Sequence, residues 1–227
     1  MDIFSDNITV FWFIADICLL FLFSCLQFQR TAAVFCQGIC NIQLFDIIFK
    51  QLIILQSAEI KMEKGKKVNK QHIEQLMELV NQSPFWSHMG MKLVDIAPGY
   101  ARMEMEIDKN KHYNPFGSVH GGVNAALIDS ATYWAGYYHQ PEDAGFTTLD
   151  VSVTDLAMAK EGKLTVHATA IKEGRSVCLC EAVIKDQTDR VVAHGTSKLL
   201  VLQGRQTIAD ALKTMGYDQL PDKFCDE

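Results

Sequence analysis

Four strand-like segments punctuated by short turns fill the last third of the chain, and that spacing limits the fold more than any other feature of the sequence. The segments are Phe146–Leu156, Lys163–Lys172, Ser176–Asp186 and Val191–Gln203, and the turns are Glu161-Gly162, Glu173-Gly174-Arg175 and Gln187-Thr188-Asp189-Arg190. Turns this short suit hairpins, so successive segments pair antiparallel. Upstream, Tyr100 to Asp108 alternates: Ala101, Met103, Met105 and Ile107 share one face, and Arg102, Glu104 and Glu106 share the other. That is the pattern of a half-buried antiparallel strand. Between this strand and the later four runs one long apolar stretch, Gly121 to about Tyr138, rich in Ala and Gly and apolar on most sides. It reads as a helix buried against the sheet. The expected class is therefore α+β, a long central helix wrapped by a curved antiparallel β-sheet.

The chain has 227 residues, 48% of them hydrophobic, and the apolar excess is unevenly placed. Residues 1–61 hold eight charged side chains, and the following 166 residues hold forty. Ile8 to Phe28 is about long enough to span a bilayer, with only Asp16 interrupting it. A secretory signal fits poorly, because Asp2 and Asp6 stand where a basic segment belongs. Basic residues follow instead, at Arg30, Lys50, Lys61, Lys64, Lys66, Lys67 and Lys70, and would keep the C-terminal side in the cytoplasm. Ile42 to Leu55 is broken by Asp46 and Lys50 and suits an interface better than a crossing. Met62 opens a stretch typical of a cytosolic N-terminus. Two readings stay open: an inner-membrane anchor with the folded domain in the cytoplasm, or an upstream extension absent from a purely cytoplasmic protein. The expected organisation is 1–61 hydrophobic extension, 62–88 N-terminal helix, 89–204 main domain, and 205–227 tail with a short helix. Asn69 is placed to cap the first helix, whose apolar residues are Ile73, Leu76, Met77 and Val80, and Ser83-Pro84 to stop it.

A net charge of −6 argues against a general nucleic-acid binder, which needs a concentrated basic surface. Of seven cysteines, Cys18, Cys25, Cys36 and Cys40 lie in the apolar quarter, leaving Cys178, Cys180 and Cys225. These make no disulfide framework. Cys178 and Cys180 share a strand face and read as small buried thiols in a reducing compartment. His112, His120, His139, His167 and His194 lack the spacing of a helical ligand pair, so no metal is expected.

Chemistry concentrates at the entry to the long helix, Asn114-Pro-Phe-Gly-Ser-Val-His-Gly-Gly122, with Asp129 seven residues beyond. First-turn N–H groups have no partner inside a helix and can polarise a carbonyl oxygen, and Gly121 and Gly122 let a reacting group approach them. Asp129 lies among Ala125, Ala126, Ile128 and Ala131, where a carboxylate is either paired, used, or on an exposed stripe. Asn114 either starts a turn or serves the site, and His120 is either a helix-entry residue bonded to backbone or part of the chemistry.

Asn114, Gly117, His120-Gly121-Gly122 and Asp129, with Thr148-Leu149-Asp150 and Gly174-Arg175-Ser176 downstream, resemble the hotdog-fold acyl-CoA thioesterases of the PaaI-like, phenylacetate-pathway branch. The resemblance runs from about Met89 to Leu202 and implies an enzyme that cleaves an acyl-CoA thioester to free acid and coenzyme A. It implies Asp129 as the catalytic carboxylate, nucleophile or general base, and Asn114 orienting the water or the thioester. The Gly121 N–H would polarise the carbonyl, His120 would support the loop, and Thr148 would reach into a neighbouring subunit's site to place water. Gly122, Gly174, Arg175 and Ser176 would contact substrate, Arg175 meeting coenzyme A phosphate with its guanidinium fork. A homodimer or homotetramer is implied, with no cofactor beyond the coenzyme A thioester that is itself the substrate.

The residues are compatible with that chemistry. A thioester is electrophilic enough for one carboxylate and aligned donors to suffice, and no G-x-S-x-G elbow is present. Asp155-Leu156-Ala157-Met158-Ala159 departs from the family, which often has an aromatic residue and a Pro-containing turn here; acyl choice is therefore left open. Phe116, Tyr133, Trp134, Tyr137 and Tyr138 suit either an aryl or medium-chain acyl pocket or plain core packing. The other functional readings are a non-catalytic acyl-CoA-binding sensor and an acyl-thioester hydratase; the retained Asp129 disfavours the first and the His-Gly-Gly entry the second.

Overall fold

The computed structural model describes residues 66–226; the hydrophobic segment 1–61 and both readings of it lie outside the described residues. In chain order the elements are β1 (Lys66–Val68), α1 (Lys70–Asn81), α2 (Pro84–Met89), β2 (Met91–Ala97), β3 (Tyr100–Glu106), α3 (Lys109–His112), α4 (Gly121–Ala135), a 3-10 turn (Tyr137–His139), β4 (Ala144–Asp155), β5 (Lys163–Glu173), β6 (Val177–Lys185), β7 (Val191–Gln203), α5 (Ile208–Met215) and β8 (Phe224–Asp226). Six strands form one antiparallel sheet in the order β2-β3-β5-β6-β7-β4, and β1 pairs with β8 separately.

Helix α4 touches every strand of the six-stranded sheet. Its Val123, Leu127, Ile128, Ala131 and Trp134 join Met103, Leu164, Val166, Ala182 and Leu199 of the strands in one buried core. Gly195 on β7 allows the close approach. A side chain there would meet Ser152 O at 2.4 Å and Ile128 Cδ1 at 3.0 Å, so helix and sheet would have to separate. The long helix inside a sheet of antiparallel strands is the α+β architecture expected from the sequence.

Strand β2 has no counterpart in the sequence reading. Met91 and Leu93 are buried, but a bulge between Leu93 and Asp95 shifts the phase, so the next buried residue is Ile96. Alternation that slips after three residues gives little periodic signal. Pro84 also does more than stop a helix. α1 ends at Asn81, and Pro84 opens α2 at its first position, where its missing N–H is no loss. Asn69 caps α1 by accepting from the Gln71 N–H. Helix α4 ends at Ala135, shorter than expected, and Tyr137–His139 tighten into the 3-10 turn.

Two thiols and one ammonium sit deep in this frame. Cys178 and Cys180 are buried free thiols on one face of β6, and burial pushes the Cys180 thiol up to about 12. Neither is a nucleophile at neutral pH. Lys223 is buried just beyond the C-terminal end of α4, where it donates to the Tyr137 and Gln140 carbonyls; burial lowers its pKa to about 8. Nearby, His72 Nδ1 donates to Pro221 O, so its Nε2 accepts from the Tyr137 hydroxyl at 2.9 Å. The C-terminal segment thereby fixes α1, whose Leu79 and Val80 wall one of the cavities described below.

Candidate active site at two stations of the long helix

The first station is the entry to α4. Asn114 Oδ1 accepts from the Phe116 N–H (2.9 Å) and the Ser118 N–H (3.3 Å), while its Nδ2 donates to Ser118 Oγ (3.0 Å). Gly117, at φ +77°, lets the loop close at a conformation other residues resist. Buried His112 anchors the loop from beneath: its Nδ1 accepts from the Asp108 N–H, its Nε2 donates to Met89 O, and its carbonyl accepts from the His120 N–H. The turn reading of Asn114 is thus realised, since its amide is committed to its own loop.

His120 is the N-cap. Its Nδ1 accepts from the Gly122 N–H at 2.9 Å, and its carbonyl accepts from the Val123 N–H at 2.9 Å. An accepting Nδ1 carries no proton, so the neutral ring holds its proton on Nε2. With Gly122 and Val123 satisfied, the Gly121 N–H is a first-turn donor with no acceptor among the described residues. A cavity of about 710 Å³ opens here, lined by Asn114, Phe116, Gly121, Asn124, Asp155 and Leu156 among others. Phe116 is 90% exposed at its edge, and so is not core.

The second station is Asp129, half-buried midway along α4. Thr148 Oγ1 donates to Asp129 Oδ1 at 2.7 Å. A bulge between Thr148 and Asp150 turns Leu149 outward and leaves Thr148 facing the helix. A cavity of about 300 Å³ beside Asp129 is walled by Leu79, Trp86, Tyr133, Trp134, Ile208 and Met215 among others. Of the aromatic residues singled out in the sequence, Tyr133 and Trp134 line this cavity, whereas in the interior Tyr137 stacks on His72 and Tyr138 meets both edge-on.

The two stations lie apart. Gly121 and Asp129 are eight residues along one helix, about 12 Å at 1.5 Å per residue, and no cavity among those described holds both. Thr148, expected to reach into a neighbouring subunit's site, instead bonds the Asp129 of its own chain, because β4 lies directly over that part of α4. Gly174, Arg175 and Ser176 form the β5–β6 hairpin and line neither cavity. Gly174 is needed there, since a Cβ would lie 2.5 Å from Val177 O. Arg175 is exposed and has no ion pair among the described residues.

Two residues at the entry escaped the sequence reading as site candidates. Asn124 Nδ2 donates to Asp155 Oδ1 at 2.7 Å, and Asp155 Oδ2 lies 2.6 Å from where a Cβ on Gly121 would stand. The available signal was an Asn on the buried face of an apolar helix. Among the described residues there is no group of three side chains that could hold a metal ion, and no helix is long and apolar enough to cross a membrane.

Comparison with known proteins gives the class. The thioesterase superfamily model matches residues 116–193, from the entry loop into β7. Rv1847 of Mycobacterium tuberculosis, an esterase by name, is 31% identical over 125 residues, covering 54% of this chain and 89% of the relative. The 1,4-dihydroxy-2-naphthoyl-CoA hydrolase of Listeria monocytogenes is 29% identical over 119 residues, 52% of this chain and 95% of that protein. Acyl-coenzyme A thioesterase 13 of Mus musculus is 27% identical over 140 residues, 60% of this chain and 93% of that protein. Among solved structures, Rv1847/MT1895 superposes with a TM-score of 0.52 at 28% identity, over 54% of this chain and 99% of the other. A Haemophilus influenzae thioesterase shares the fold, with a TM-score of 0.56 at 24% identity, over 63% and 98%. The chain belongs to the thioesterase superfamily and is a hotdog-fold thioester hydrolase.

Proposed function

We propose that the chain hydrolyses the thioester of an aryl- or medium-chain acyl-CoA, in the manner of the PaaI-like branch, and that each working site is assembled from two copies of the chain. The observation that carries this reading is the half-buried Asp129 carboxylate, held by Thr148 at the wall of an apolar cavity. Trp86, Tyr133, Trp134, Ile208 and Met215 suit an aryl or medium-length acyl group, and the cavity volume is at the small end of the range for small-molecule sites. Asp129 attacks the thioester carbon or activates the water that does, and Thr148 fixes which of its oxygens faces the substrate. The developing oxyanion is stabilised by the free Gly121 N–H at a helix N-terminus, kept available because His120 binds its neighbour.

A donor about 12 Å from the carboxylate along one helix cannot serve the same thioester. Two copies related by a two-fold axis bring the Gly121 of one to the Asp129 of the other, twice over. The outer edge of β4, where Leu149 is exposed, and the exposed Phe116, Leu156 and Met158 supply an apolar surface for that contact. A dimer is the unit this requires, and a tetramer would be a pair of such dimers. Coenzyme A phosphates pair with Arg175 once the second copy is in place. The buried unpaired thiols fit a cytoplasmic location.

The test is thiol release from a panel of aryl- and medium-chain acyl-CoAs. Asp129→Asn should lower kcat by roughly 1000-fold, within the range for a positioned acid or base, with substrate binding retained. A variant as fast as the parent across the panel would remove Asp129 from the chemistry.

A further inference from the structure

The carboxylate of Asp155 stands in the entry cavity at the end of β4, beside the one free first-turn N–H. No helix N–H donates to it. It is held from the side by the Asn124 amide at 2.7 Å, and the missing side chain of Gly121 leaves room for its other oxygen. Because a carboxylate at neutral pH only accepts, Asn124 must present its NH2 to Asp155, which fixes the amide orientation. Asn124 is 4% exposed, and its Oδ1 is buried without a partner. Asp155 is exposed to the cavity and its Oδ2 accepts from no donor among the described residues, while the buried Asn124 amide holds the carboxylate in place. The cation lining the cavity, Arg190, is committed to Asp186 and to Met158 O.

We propose that Asp155, held by Asn124, is the acceptor that recognises a hydrogen-bond donor on the substrate beside the thioester, and that it determines specificity. The inference rests on the proposed placement of the thioester oxygen at the Gly121 N–H. A carbonyl bound there brings two donor sources within reach: a hydroxyl on the acyl chain close to the thioester, and the first amide N–H of the pantetheine arm beyond the sulfur. Both share the chemistry of an O–H or N–H directed at a carboxylate. The same carboxylate disfavours an acyl group ending in a second carboxylate near the thioester, which would face it with like charge.

The experiment compares Asp155→Leu with the parent on three thioesters of one chain length: an acyl-CoA, its 3-hydroxy counterpart, and the acyl ester of a simple alkyl thiol lacking the amide. The readout is the ratio of kcat/KM for each donor-bearing substrate over the alkyl thioester. An acyl-hydroxyl source predicts that the advantage of the 3-hydroxy substrate over the plain acyl-CoA falls by about 10-fold or more in the variant, the size expected for a hydrogen bond to a charged acceptor. A pantetheine source predicts that both CoA substrates fall together by that factor relative to the alkyl thioester. Ratios unchanged within about 2-fold on all three would overturn the proposal, since a merely structural Asp155 shifts every substrate alike. Asp129→Asn run in parallel separates the two claims: if it retains activity the active-site reading fails, whatever Asp155→Leu does.

Discussion

The two stations of α4 use the same helix in opposite ways. At the entry, backbone does the work: His120 and Asn114 spend their side chains on neighbouring N–H groups, and what remains for substrate is an N–H no side chain occupies. Midway, side chains do the work: the backbone of Asp129 belongs to the helix, and only its carboxylate, held by Thr148, faces the cavity. The difference teaches why the site needs both. A helix end offers a fixed partial positive charge without any ionisable group, whereas a helix middle offers no free backbone but can project an acid. One α-helix cannot supply both to one carbonyl carbon, which is why the proposed site takes its N–H from the entry of one copy's helix and its carboxylate from the middle of the other's.

The strongest way to break that comparison is to remove each station separately and then mix the products. Gly121→Pro deletes the N–H and suits the first helical position, though its Cβ also pushes Asp155 Oδ2 aside from 2.6 Å, and it should lower kcat by at least roughly 100- to 1000-fold, the usual effect of losing one oxyanion donor. Asp129→Asn should be at least as severe. If the stations of two copies cooperate, co-refolding the two inactive variants should restore about a quarter of parent activity, because random pairing of a two-fold dimer leaves about a quarter of the sites intact. No recovery in thiol release, with the dimer present by sedimentation, would place both stations on one chain. Thr148→Val sharpens the second station alone. Losing a hydrogen bond to a charged group should lower kcat by about 10- to 100-fold, with KM little changed, since the methyl keeps the volume. A rise in KM at constant kcat would make Thr148 a binding residue instead.

The sequence revealed one station more fully than the other. Asp129 stood out because a carboxylate inside Gly121–Tyr138 has to be paired, used or on an exposed stripe, and the antiparallel strands were legible because their turns were short. Strand β2 was not, since its bulge breaks the alternation after Leu93. Thr148 came to attention through the resemblance, but its partner could not be known from the sequence: the contact depends on a bulge at Leu149 and on β4 leaving the hairpin order to take the sheet edge beside β7. Asp155 and Asn124 are thirty-one positions apart and meet only because β4 returns to the helix entry, a tertiary fact with no local signature. Arg175 stands in the reverse position, picked out by its Gly-Arg-Ser motif yet lining neither cavity of a single chain.

The smallest effect concerns His120, where the two readings of the sequence make different forecasts. As an N-cap, its Nδ1 satisfies the Gly122 N–H, a service that Asn performs equally well and Ala does not. His120→Ala should therefore cost about 1 kcal/mol of stability, seen as a lower denaturant midpoint at unchanged slope, and should reduce activity only as far as the helix end frays. His120→Asn should recover both. If instead His120→Asn keeps the parent's stability but loses activity as fully as Asp129→Asn, the imidazole takes part in proton transfer. The entry would then act through a side chain as well as through backbone, and the division of labour along α4 would fall.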